Sequence, residues 1–300
     1  MKRVLTPETV EPLLRAFPAG SRDLLTAALC APSFVGKLDA GIERGVGIGI
    51  RDLMSSLLPL AQLYALADFR VGAITQGASG ALYFGANLEI PRAPLGWTIH
   101  AEQSTVMSAL VHGEKAIRRL AVTAAPCGHC RQFLNELVQS SKLEILLSNR
   151  DPFTLTQLLP QAFGPADLGV PAALLAHGDL QIAKAAGESD IAFQAALDAL
   201  RRSYSPHTRS PSAVALEAEG HVLVAAPYVE NAAYNPSLPP MVAALDRLRF
   251  HNATVAAIRK AVLVEVEEPR IEQASNSRDI LKAAGSNVEL AVFKVRLAAG

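Results

Sequence analysis

The residues best equipped for chemistry in this 300-residue chain are His100 and Glu102, in His100-Ala101-Glu102, and Cys127 and Cys130, in Pro126-Cys127-Gly128-His129-Cys130. One imidazole and two thiols are three ligands of the kind zinc accepts, and three protein ligands leave a fourth tetrahedral position open for catalysis. A carboxylate that stays off the ion can take a proton from a zinc-activated water and deliver it to a leaving group. Cys127 and Cys130 lie three residues apart, so the first turn of one helix can aim both at one ion. A helix N-terminus there favours their thiolate forms.

Other readings of the same residues are less economical. A redox Cys-x-x-Cys has no use for the upstream His-Ala-Glu, and the sequence shows no thioredoxin-like setting. A structural zinc module needs a fourth protein ligand. His129 is the nearest candidate, but its place between the cysteines suits a supporting or surface role. Cys30, in Leu24-Leu-Thr-Ala-Ala-Leu-Cys30, reads as core, and His112 as surface.

The elements that must carry these residues follow from periodicity. Residues 6–40 read as helical, with a second periodic segment over 21–29, and Leu53 to Ala67 reads as an amphipathic helix. Two short β-rich runs, 71–75 and 81–86, flank Gly77-Ala-Ser-Gly80 as a hairpin. Thr98 is placed to cap a helix bearing His100 and Glu102. Then come a strand at 119–123, a helix at 126–140 and a strand at 143–148. This order specifies a mixed α/β layered domain. After a Pro/Gly/Ala-rich connection the order returns. Residues 191–203 read as helix, 213–218 and 221–226 as a hairpin, 240–249 as helix and 261–266 as strand, so the second half is a copy of the first. The expected division is an N-terminal helical segment over 1–47, a catalytic zinc domain over 48–150, a linker over 151–186 and a pseudo-catalytic domain over 187–300.

Composition narrows the function. Lys+Arg and Asp+Glu number 28 each and aromatics are 5% of the chain. Neither a charge surplus nor a stacking surface marks it for nucleic acid. No apolar run reaches the roughly 18 residues of a membrane span, and the N-terminus has no signal-peptide pattern. A cytoplasmic protein with no membrane or nucleic-acid partner is expected.

His-Ala-Glu followed by Pro-Cys-x-x-Cys resembles the zinc-dependent cytidine deaminase superfamily, whose signature includes a non-ligand Glu as acid/base. Asp68-Phe-Arg-Val-Gly-Ala, Tyr83-Phe-Gly-Ala-Asn-Leu-Glu89 and Ala125-Pro-Cys-Gly-His-Cys-Arg-Gln-Phe133 extend the likeness to the long, homodimeric, enteric-bacterial type with a duplicated core. The resemblance implies two similar three-layer α/β/α domains (a mixed sheet flanked by helices) and one Zn2+ per chain on His100, Cys127 and Cys130. It implies hydrolytic deamination of cytidine and 2′-deoxycytidine, with activated water attacking C4 and Glu102 shuttling protons, in pyrimidine salvage. It places Asn87 and Glu89 on the ribose 3′-hydroxyl, Phe69 beside the pyrimidine and the Ala101 backbone on the base. Without it, Phe69 reads as core and Asn87 and Glu89 as a polar strand end.

In the second copy, Pro239-Pro240-Met241 stand where His-Ala-Glu is due, and residues 272–281 hold no cysteine. That domain is expected to bind no zinc. The resemblance gives it another task, in which the Ala232, Ala233 and Tyr234 segment of one subunit completes the active site of its partner in a homodimer. A nucleotide substrate is left open by Arg92, close to the ribose segment.

Overall fold

The computed structural model describes residues 3–148, 150–171, 173–185 and 190–298. They form two compact units, Met1–Leu88 with His100–Ala162, and Glu89–Ile99 with Phe163–Gly300.

The first unit is built on a six-stranded sheet of β1 (Lys37–Leu38), β2 (Gly72–Gly77), β3 (Leu82–Ala86), β4 (Ile117–Val122), β5 (Glu144–Leu147) and β6 (Phe153–Thr154), in the order β1-β3-β2-β4-β5-β6. Only β4 and β5 pair in parallel. The expected helical stretch at the N-terminus is broken up. α1 (Pro7–Val10) gives way to a 3-10 turn containing Pro12, and α2 (Ala19–Leu29) starts afresh after Pro18. Prolines lack the N–H a continuous helix needs. The chain then pairs with β3 as edge strand β1, and α3 (Ile42–Val46) follows. Cys30 is half-buried at the end of α2, less enclosed than its apolar neighbours suggest.

Two glycines set the layers. In an antiparallel pair, directly opposed residues point to the same face. Gly72 opposes Ala86, whereas Gly85 opposes Ala73, so the two glycines face opposite sides. A Cβ on Gly72 would lie 2.6 Å from the Gln62 nitrogen, in α4 (Ile50–Gln62). A Cβ on Gly85 would lie 2.3 Å from the Thr105 nitrogen and 2.5 Å from the Ala101 oxygen, in α5 (Ala101–Val111). Helix backbones therefore rest directly on both faces, which is the three-layer α/β/α arrangement. α4 buries Leu53, Met54, Leu57, Leu58, Leu60 and Ala61, an i, i+3, i+4 stripe. α6 (Gly128–Leu134) follows β4 and packs on α5. It ends sooner than its sequence suggests, in turns running to Gln139, whose φ is 58°. Within the stretch expected to be a linker, β6 extends the first sheet and Thr154 caps the short α7 (Leu155–Leu158).

The second unit repeats the plan. β7 (Ile182–Ala185), β8 (Ser212–Ala218), β9 (Val222–Pro227), β10 (Ile258–Val266) and β11 (Leu290–Leu297) run in the order β7-β11-β10-β8-β9. The order β3-β2-β4-β5 recurs as β9-β8-β10-β11, again with one parallel pair, β10 with β11. The outer antiparallel strand follows the core in the first unit, as β6, and precedes it in the second, as β7. α8 (Ile191–Leu200) buries Ala192, Phe193, Ala196 and Leu200 against Ala213, Ala215, Val262 and Val264. Val214 and Leu216, which alternate to the other face, are also fully buried. α9 (Pro240–Phe250) packs on β8 and β9, and α10 (Ala274–Ala283) packs on α9. Among the described residues no helix is long and apolar enough to cross a membrane.

Candidate active site

His100 and Cys127 are both N-caps. His100 precedes α5 with extended backbone, and its N–H donates to Gln103 Oε1 at 3.1 Å. The helix starts two residues later than Thr98 capping would place it. Thr98 instead ends a 3-10 turn, Leu95–Trp97. Cys127 precedes α6, and Cys130 lies in its first turn, fully buried. Arg131 fixes this turn from outside. Its Nε donates to the Pro126 carbonyl at 2.8 Å and its Nη1 to the Leu158 carbonyl at 2.8 Å.

These two caps bring three ligand atoms together. His100 Nδ1 lies 3.5 Å from Cys127 Sγ and 3.2 Å from Cys130 Sγ, and the sulfurs are 3.6 Å apart. A tetrahedral zinc with Zn–S of about 2.3 Å and Zn–N of about 2.0–2.1 Å gives edges of roughly 3.8 Å between sulfurs and 3.6 Å between sulfur and nitrogen. The three atoms thus already outline one face of a zinc tetrahedron. Among the described residues they are the one group of three or more such side chains close enough to hold an ion.

The thiols behave unequally as they stand. Hydrogen bonding from Cys130 holds Cys127 down to about 4, while the same contact and burial push Cys130 far up. Glu102, in the first turn of α5, is not a member of the ligand cluster and is almost fully buried. Burial raises its pKa against the opposing pull of its own backbone N–H and His100. The result is a carboxyl beside the metal position that favours the protonated form more than a solvated one does.

The remaining expected site residues fall in several places. Phe69 is 71% exposed, which overturns a core role for it. The Asn87 side chain accepts from the Val71 N–H at 2.8 Å and donates to the Phe69 carbonyl at 2.8 Å, so it braces the loop that presents Phe69. Ala101 is buried against Gly85, and Glu89 is exposed. In the second unit, Ala232 is buried, while Ala233 and Tyr234 are exposed at the tip of a turn. Asn231 Oδ1 accepts from the Ala233 N–H at 2.9 Å, and Tyr234 adopts φ 60°. His129 is half-buried, and its ring stacks on that of His100. His112 is half-buried at the end of α5, its Nδ1 2.7 Å from the Ser108 carbonyl. Sequence reasoning missed Arg131 and the two packing glycines. The arginine next to Cys130 was visible, but nothing in the sequence showed which carbonyls it would reach.

A family model described as the cytidine and deoxycytidylate deaminase zinc-binding region matches residues 50–144, and a second model of the same description matches residues 155–278. A cytidine deaminase of Vibrio atlanticus is 38% identical over 94% of this chain and 97% of its own length. One of Serratia proteamaculans is 41% identical over 92% of this chain and 96% of its own, and one of Sodalis glossinidius is 41% identical over 91% and 94%. The chain belongs to the zinc-binding cytidine and deoxycytidylate deaminase family. A crystal structure of a Mycobacterium tuberculosis cytidine deaminase matches 39% of this chain and 99% of that one, at 29% identity and a TM-score of 0.35.

Both halves match the family, yet they differ in chemistry. The bridge between Leu66 and Leu88 in the first unit has its counterpart between Tyr204 and Val229 in the second. That register makes Asn87 equivalent to Tyr228, Glu89 to Glu230 and Phe69 to His207. The helix caps correspond as well, His100 to Pro239 and Cys127 to Gln273. Neither proline nor glutamine replaces an imidazole or a thiolate as a zinc ligand.

Proposed function

We propose that the chain hydrolyses cytidine and 2′-deoxycytidine to uridine and 2′-deoxyuridine with release of ammonia, using one zinc ion per chain. The observation that carries this reading is the tetrahedral face of His100 Nδ1 and the two sulfurs, with the buried Glu102 beside it and outside the ligand set. When bound there, zinc supplies Lewis-acid activation of water near neutral pH.

The other tasks fall to the chain's own residues. Glu102 takes a proton from the attacking water and gives it to N3 of the pyrimidine. It then carries the second proton to the 4-amino group, which leaves as ammonia. A raised carboxyl pKa suits a group that must hold a proton between these transfers. Phe69 flanks the base, and its exposed ring is available to do so. The Ala101 backbone contacts the base. Asn87 and Glu89 bind the ribose 3′-hydroxyl.

The second domain serves a homodimer. Its Ala232–Tyr234 turn, held by Asn231 and exposing Tyr234, lines the active site of the partner subunit. The setting is pyrimidine salvage in the cytoplasm.

The test is a steady-state assay of cytidine, 2′-deoxycytidine, dCMP and single-stranded DNA on protein of measured zinc content. The two nucleosides are expected to turn over and the others not. Glu102→Ala should keep its zinc and lose at least 10²–10⁴-fold in kcat, the usual worth of a general acid–base group. Loss of zinc with activity restored by added metal would make Glu102 a ligand and overturn the assignment. An active monomer in sedimentation would refute the cross-subunit part alone.

A further inference from the structure

Metal-bound histidines are usually aimed by their second ring nitrogen, which donates to a carboxylate or carbonyl. Among the described residues, His100 makes no such hydrogen bond. Its Nδ1 faces the two sulfurs, and its backbone N–H is held by Gln103, which fixes the main chain but not the far side of the ring. What lies against the ring is His129. The two imidazoles are stacked with centroids 5.2 Å apart and planes 13° from parallel. His129 is well placed for this, between the cysteines in the first turn of α6. The thiolate ligands and the surface that orients the imidazole ligand thus come from one helical turn.

A second observation shows which property of His129 matters. Its Nε2 is shielded from solvent and has no hydrogen-bond partner among the described residues. A buried polar atom without a partner destabilises the fold, so hydrogen bonding by Nε2 is not what holds this ring there. Its flat face is what touches the ligand.

We propose that His129 is a positioning residue whose ring, laid against His100, keeps the imidazole turned toward Cys127 and Cys130 in the geometry a metal requires. The inference rests on the reading of His100 as a ligand. It does not depend on which nucleoside is the substrate.

The test compares His129→Ala, His129→Leu and His129→Phe in the full-length protein. Zinc release to a chelator and the visible spectrum of the cobalt(II)-substituted protein are read alongside kcat and KM for cytidine. Phenylalanine keeps a flat ring without the shielded nitrogen. His129→Phe should therefore stay within about threefold of the unsubstituted protein in zinc release, with the cobalt bands unmoved. His129→Ala should release zinc about 10–100-fold faster, the range for losing a support of a metal ligand. Its cobalt bands should shift, and kcat should fall more than KM changes. His129→Leu fills the volume without a planar face and should behave as alanine does. It also decides the matter if the alanine variant fails to fold.

Release rates and spectra unchanged in both His129→Ala and His129→Leu would overturn the proposal. So would a phenylalanine variant as impaired as alanine, because the nitrogen and not the ring would then be responsible. His129→Phe matching while leucine fails supports it. Failure of the underlying ligand reading looks different, since the unsubstituted cobalt protein would then lack thiolate charge-transfer bands and His100→Ala would retain zinc.

Discussion

Gly85→Ala isolates the link between sheet packing and catalysis. The new methyl carbon would sit 2.3 Å from the Thr105 nitrogen and 2.5 Å from the Ala101 oxygen, both backbone atoms of α5. Ordinary carbon contacts lie near 3.5 Å, so α5 must lift from β3 by roughly 1 Å. His100 and Glu102 ride on the first turn of that helix and move with it, whereas Cys127 and Cys130 belong to α6. A 1 Å misplacement of catalytic groups costs about 10²-fold, and forced overpacking about 1–3 kcal/mol of stability. Gly72→Ala is the matched control. It collides with α4 on the opposite face, at 2.6 Å from the Gln62 nitrogen and 2.8 Å from the Leu58 oxygen, and α4 carries none of the metal ligands. Thermal melts and kcat for cytidine at full zinc loading separate the two effects. Both variants should melt earlier, but only Gly85→Ala should lose about 10²-fold in kcat. Equal kcat losses in the two, or a Gly85→Ala enzyme with normal kcat, would show that the seating of α5 does not set the site.

The remaining predictions test single groups. Arg131→Met removes the donors to the Pro126 and Leu158 carbonyls, so zinc affinity by competition titration should fall about 10–100-fold. Burial raises the pKa of Glu114, but donors from Ser79, the Lys115 and Ala116 N–H groups and Tyr83 together lower it. A carboxyl with a depressed folded-state pKa stabilises above its unfolded value and loses that contribution as pH falls through the folded one. Glu114→Gln should therefore lower the melting temperature at pH 7, with the gap closing below about pH 4. Glu89→Ala should raise KM for cytidine yet shift stability by less than about 0.5 kcal/mol, because Glu89 is exposed. Glu230→Ala, its counterpart, should cost about 1–3 kcal/mol in urea unfolding, because it removes a buried carboxylate that accepts from the half-buried His207 and Thr208 N–H groups.

The sequence revealed types and spacings better than contacts. The imidazole, the thiols and the free carboxylate could be found because zinc chemistry requires those residue kinds, and the repeat could be found because helical and strand periodicities recur in order. Strand β1 was hidden because its two residues, Lys37 and Leu38, carry no periodicity of their own and pair only because β3 offers an open edge. β6 and β7 lay within a stretch whose Pro, Gly and Ala content resembles a connector, and each is fixed by a neighbouring strand. The helix start at His100 was misplaced for a related reason. Thr98 is the better cap by residue type, but here the cap is set by convergence on Cys127 and Cys130. Phe69 shows the reverse case, because an aromatic is assigned to the core by type while its loop, braced by Asn87, presents it to solvent.

The duplicated half keeps the architecture of the first with different residues at its helix ends. The α6 N-terminus offers its free N–H groups to thiolates. The equivalent end of α10 keeps an anion, but of another kind. Glu265, at the end of β10 and 1% exposed, accepts from the Gln273 N–H at 3.0 Å and pairs with Lys294 at 2.9 Å. The helix end that faces thiolates in the first unit faces an internal ion pair in the second. Glu230 has changed in the same way. It matches Glu89, yet its carboxylate is buried and takes donors from the His207 N–H at 2.9 Å, the Thr208 N–H at 3.1 Å and the Thr208 hydroxyl. A carboxylate satisfied three times by its own domain has little capacity left for a ribose hydroxyl. Placing His, Glu and two cysteines at the matching positions of the second unit is therefore expected to give no cytidine turnover in a steady-state assay, because Glu265 and Glu230 are already committed to holding the fold.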